Sequence, residues 1–159
     1  MNLTVIAVGR LNAAYYRQAA AEYEKRLGRY CRLNLIEVRD EPTPDAPSER
    51  ERDLVLDKEG KRILDKIPDT AYVTALCIEG RQMSSEDLAE TLENLAAAGS
   101  SHLVFVIGGS MGLSRAVKER SALKLSFSPM TFPHQLMRVI LLEQIYRAFT
   151  ILQGGKYHK

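Results

Sequence analysis

Short apolar runs alternate along the chain with longer amphipathic stretches. The runs at 3–8, 33–38, 72–78 and 103–107 are rich in Val, Ile, Leu and aromatics and are bounded by glycine, charge or turn residues, which predicts buried strands. Between them, 15–30, 49–67 and 84–98 carry helical spacing, and the last opens on Ser84, Ser85, Glu86 and Asp87, a cluster suited to capping a helix N-terminus. A short helical stretch at 115–119 and a fifth strand at 123–127 follow. Strand and helix alternate, so the pattern predicts a mainly parallel sheet of about five or six strands covered by helices on both faces. The segment 40–48 holds Pro42, Pro44 and Pro47 and is expected to be a loop.

The last helix is predicted to start near Pro133, a residue favoured in a first helical turn, and to run to about Leu152. Met137, Leu141, Ile145, Ala148 and Leu152 form one apolar stripe, and Val139, Leu142, Tyr146 and Phe149 form a second beside it. Two stripes are more than one core-facing side requires. Either the helix is buried deep in the core, or the second stripe packs against another subunit.

At 159 residues, 45% hydrophobic and 26% charged, the chain is long enough for one full core and short for two, so a single domain over 1–159 is expected. Cys31 and Cys77 match no metal-ligand spacing and read as buried free thiols of a reducing compartment. No apolar stretch approaches the ~20 residues of a membrane span, and the first residues lack the layout of a signal peptide, which points to a cytoplasmic protein without a membrane partner. The net charge of +2 is unevenly distributed: from Ser114 onward, eight Lys or Arg stand against Glu119 and Glu143, leaving +6 there and −4 before it. Such a basic third suits an anionic partner such as nucleic acid or, more simply, a solvated surface.

Three segments carry candidate chemistry. The strand at 103–107 runs into Gly108, Gly109, Ser110, Met111 and Gly112, a loop whose backbone can approach a ligand closely. It follows a late strand, while the first strand ends on Gly9 alone with no G-x-G-x-x-G, so ordinary Rossmann binding is disfavoured. The segment 126–138 contains Pro129 and Pro133, which stiffen a loop walled by Met130 and Phe132 and able to present backbone groups to an adenine edge. His134 and Arg138, one helical turn apart, share a face and could meet a phosphate. The third segment is the tail, Gly154 to Lys159: either a frayed terminus, or an aromatic for stacking, an imidazole for proton exchange and two lysines for phosphate.

Taken together, the opening AVG, YEKRL, LDKEGKRIL, the strand ending at Leu76 before Gly80, IGGSMGLS, SFSPMTFPHQLMRVILLEQIYRAF and the terminal YHK resemble the ribosomal large subunit methyltransferase H family, of the SPOUT class. The likeness covers essentially the whole chain and departs from the pattern at Lys156, where many members have a proline. It implies a SPOUT-type α/β knot with a C-terminal trefoil knot, an exception to the rule against knotted connections. It also implies S-adenosyl-L-methionine as methyl donor and N3 of a pseudouridine in 23S rRNA, within the assembled ribosome, as acceptor, with no metal. Carried over by position, the cofactor site is Leu76, Gly108, Phe127, Ser128, Pro129, Met130, Thr131 and Phe132. The family forms homodimers through the last helix, and the tail of one chain covers the cofactor of the other. On this reading His158 is the first choice of base, Tyr157 positions the nucleobase, and Arg138, Lys156 and Lys159 bind rRNA phosphates. The alternative is a basic, dimeric RNA-binding protein without catalysis.

Overall fold

The computed structural model describes residues 1–159. Five strands, β1 (Asn2–Val8), β2 (Arg32–Val38), β3 (Tyr72–Gln82), β4 (His102–Ile107) and β5 (Leu123–Ser126), alternate with five helices, α1 (Ala14–Leu27), α2 (Glu49–Leu64), α3 (Ser85–Ala97), α4 (Arg115–Arg120) and α5 (His134–Leu152). All strands are parallel, in the order β2-β1-β4-β3-β5. The predicted α/β architecture is therefore the one observed.

The central strands are buried on both faces, which explains why they read as continuous apolar runs. Leu103, Phe105 and Ile107 of β4 join Leu3, Val5 and Ala7 of β1 against α1, α3 and α5. Val104 and Val106, with Ile6 and Val8, face α2 and α4 through Ile63, Leu113 and Val117. Helix starts follow local chemistry. Ser48 and Glu51 form a reciprocal capping box on α2, Ser84 and Asp87 do the same on α3, and the Ser114 hydroxyl accepts from Val117 N at 3.2 Å at the start of α4.

One element departs from the sequence expectation. Strand β3 runs four residues beyond Ile78, because Gly80 lets the backbones meet: a Cβ there would lie 2.7 Å from Lys124 carbonyl atoms. The β3–β5 register breaks between Leu76 and Arg81, so residues 77–80 leave the ladder as a bulge. The structure also decides between the two readings of α5. Leu142 and Phe149 of the second stripe, like Leu141, Ile145 and Ala148, are buried within the protomer, because α5 lies between α1 and α3. The apolar α5 residues outside both core clusters are Leu136, Ile140 and Leu152. Cys31 and Cys77 are free and only partly buried. No helix is long and apolar enough to cross a membrane.

Candidate active site

Because the strands are parallel, the bulge of β3 and the segments that follow β4 and β5 lie at the same edge of the sheet, and they enclose one cleft of about 810 Å³. Within β3, Leu76 and the bulge residues Cys77, Ile78 and Glu79 line it. After β4 comes the glycine turn, in which Gly112, at φ +89°, donates its N–H to the Gly109 carbonyl at 3.1 Å. A side chain on Gly108 would overlap the Gly112 backbone carbonyl, so this turn closes only around glycine. Helix α2 supports the turn from behind: the Glu59 carboxylate lies against Gly109, and Gly60 abuts Ser114 so closely that no side chain fits between them. Glu59 also accepts the Glu41 N–H at 3.3 Å, and burial raises its pKa above the ordinary glutamate range.

After β5, the proline segment is folded on itself by short polar contacts. Ser126 Oγ donates to the Ser128 carbonyl at 3.1 Å, and Ser128 Oγ accepts from Met130 N at 3.0 Å. Phe127, Ser128, Met130, Thr131 and Phe132 line the cleft, as do Leu76 and Gly108. Pro129 does not; it is exposed on the outer side of the turn. Arg52, Glu79 and Lys118, which the sequence did not single out, also border the cleft, as does Cys77, and Glu79 and Lys118 are paired to each other. That pairing holds the Glu79 carboxyl below its ordinary range, while burial and Glu79 raise the Cys77 thiol. His134, on the first turn of α5, also lines the cleft, its Nε2 facing Gly9 at the end of β1. Burial and then the Arg138 charge lower its pKa, against a smaller opposing pull from Asp40.

Tyr157 and His158 lie outside this cleft. After α5 the chain reverses at Gly154, at φ +66°, and Gly155 donates its N–H to the Thr150 carbonyl at 2.8 Å, so the tail runs back along the helix. Tyr157 stacks edge-on to Tyr146, lies over the Arg147 guanidinium and donates its hydroxyl to Glu143 Oε1 at 3.1 Å. Its pKa is pushed up to about 12, first by burial and then by Tyr23 and Glu143. His158 is engaged on both sides. Arg147 donates to Nδ1 at 3.2 Å, and since a guanidinium only donates, Nδ1 carries no proton; Nε2–H then donates to Glu86 Oε1 at 2.7 Å. In this pose the expected base has no free lone pair. The α3 capping cluster thus has a second use that local spacing could not disclose.

The basic C-terminal third is largely paired within the chain. Arg138, expected to meet phosphate, is 5% exposed and donates to Glu37 at 2.6 Å and to the Gly9 carbonyl at 2.9 Å, so it ties α5 to the ends of β1 and β2 instead. Arg115 pairs with Glu119, Lys118 with Glu79, Arg147 with Glu143, and Arg120 donates to the carbonyls of Pro68, Asp69 and Ala71. Lys124, Lys156 and Lys159 remain exposed.

Comparison with known proteins points the same way as the geometry. Residues 1–158 match the family model described as "Predicted SPOUT methyltransferase". The chain is 55% identical to the ribosomal RNA large subunit methyltransferase H of Clostridium botulinum (strain Eklund 17B / Type B) and 54% identical to that of Bacillus pumilus (strain SAFR-032), each over 159 residues and the whole of both chains. The corresponding protein of Limosilactobacillus reuteri (strain DSM 20016) is 53% identical over the same span. A full-length family match, relatives above half identity and a parallel sheet whose last three strands empty into one cleft together show that this chain belongs to the SPOUT methyltransferase family.

Proposed function

We propose that the protein transfers a methyl group from S-adenosyl-L-methionine to N3 of a pseudouridine in 23S rRNA, acting on the ribosome as a homodimer. The observation that carries this reading is the convergence of the β3 bulge, the glycine turn and the proline loop on one cleft. The residues fit the methyl donor. Leu76, Phe127, Met130 and Phe132 give apolar walls for a nucleoside, Ser128 and Thr131 give polar edges, and Gly108 sits where backbone must pass closest. When bound, S-adenosylmethionine supplies a methyl group already activated on a sulfonium, so the protein's task is to hold the acceptor nitrogen in line and remove its proton.

The chain's own groups divide that task. The Gly108 turn and the 127–132 loop hold the donor rigidly, with α2 as backing. Tyr157 and His158 pack against Glu143, Tyr146 and Arg147 of α5, and two-fold pairing over Leu136 and Ile140 of the same helix would let the tail of one protomer border the cleft of its neighbour. Tyr157 then offers a ring to a nucleobase, and Lys156 and Lys159 meet nearby phosphates. A binding module without catalysis finds less support, because most cations of the basic third are engaged inside the protomer. Mass spectrometry of 23S rRNA from cells lacking the gene tests the reading: one pseudouridine loses a methyl group, and unchanged rRNA modification overturns it.

A further inference from the structure

The imidazole of His134 is the one uncharged nitrogen base among the groups that line the cleft. Arg52 and Lys118 are cations, Glu79 is ionised against Lys118, and the Cys77 thiol keeps its proton. Glu59, the buried carboxylate of α2, faces Gly109 and the Glu41 N–H rather than the cleft. His158, in the tail, has both ring nitrogens engaged by Arg147 and Glu86. His134 differs on every count. It lines the cleft with Phe132 and Met137, and the charges that act on its ring are Arg138, one turn along α5, and Asp40, after β2. It is also held in place from below, because Arg138 clamps the first turns of α5 to Glu37 and the Gly9 carbonyl.

We infer that His134 is the proton acceptor for the substrate nitrogen in this cleft, and that the tail positions the nucleobase without acting as the base. The inference rests on the methyl-transfer reading above. In the step, the acceptor N–H gives its proton to a ring nitrogen of His134, which becomes imidazolium. The nitrogen's electron pair forms the new N–CH₃ bond as the S–CH₃ bond breaks, and that bond's pair stays on sulfur, which leaves as a neutral thioether. A lowered imidazole pKa keeps the ring neutral at pH 7, so a lone pair is free to take the proton.

The test compares wild type with His134→Asn and His134→Ala, using labelled S-adenosylmethionine and ribosomes from cells lacking the gene. Expected are a fall in single-turnover rate of about 10²- to 10⁴-fold, an unchanged dissociation constant for S-adenosylmethionine by calorimetry, loss of the acid limb of the pH–rate profile, and partial rescue of His134→Ala by added imidazole. Proton NMR provides a readout independent of turnover: the resonance missing from His134→Asn titrates in wild type below the ordinary histidine range. A wild-type rate and pH profile in His134→Asn overturns the inference, as does a proportional loss of cofactor binding without imidazole rescue. An inactive wild type overturns the methyl-transfer reading itself, which separates the two failures.

Discussion

At its N-terminal end helix α5 delivers His134 to a cleft with its ring unpaired, while beyond its C-terminal end the chain doubles back and delivers His158 into a carboxylate–guanidinium network that engages both ring nitrogens. The residue type is the same; the surroundings differ. One imidazole is desolvated beside a cation and keeps a lone pair available. The other is oriented by two charged neighbours and acts, in this pose, as a fastener. A histidine's chemical role is thus set by which atoms its two nitrogens meet, and spacing along the chain does not reveal that.

Disabling each end separately breaks the comparison most sharply. Gly108→Ala drives a methyl group into the Gly112 carbonyl, and no flexible side chain is available to give way. Calorimetry should show S-adenosylmethionine affinity falling at least ~100-fold, equivalent to about 2.7 kcal/mol, while the tail network persists. Removal of Tyr157 to Lys159 should do the reverse: cofactor affinity stays unchanged and methyl transfer to the ribosome is lost. Because the deleted contacts are partly exposed, thermal unfolding should shift down by only a few degrees, ~2–4 °C. If truncation weakened cofactor binding as much as Gly108→Ala, the two ends would not be separable.

The smallest effect sharpens the picture of the support behind the cleft. Glu59 has a raised pKa, so its carboxylate is disfavoured in the fold at neutral pH, and this penalty vanishes below the ordinary glutamate range, where the group is protonated whether folded or unfolded. Glu59→Gln keeps an acceptor for the Glu41 N–H and removes the charge. It should therefore raise the melting temperature at pH 7 by ~1–3 °C, for a gain of about 1 kcal/mol or less, and the difference from wild type should close as the pH falls through the carboxylate range. A lower melting temperature at pH 7 would mean that the charge itself supports the glycine turn.

The elements were legible because burial on two faces leaves a clear record: after His102, β4 is an unbroken run of Leu, Val, Phe and Ile, and after Asn2 the apolar run of β1 is interrupted only by Thr4. The end of β3 was not, since Glu79, Gly80 and Arg81 have the composition of a turn, and the strand continues there only because a glycine admits a neighbouring backbone. The second stripe on α5 was visible, but its occupant was not: α1 and α3 are each packed against the helix, and neither contact leaves a local pattern. The loops that line the cleft could be placed on residue type and family likeness. Arg138 could not, because its partner Glu37 lies 101 residues away and its burial follows from that pair. The tail shows the same limit, its contact from His158 to Glu86 spanning 72 positions.

The reversal at Gly154 and Gly155 acts as a ruler. With the chain pinned at Thr150 and each following residue advancing at most ~3.5 Å, the distance from that pin decides which side chain arrives at Glu143. Inserting a single residue between Gly155 and Lys156 would bring Lys156 to the place now held by Tyr157, exchanging an aromatic ring for an ammonium without altering any element of the sheet.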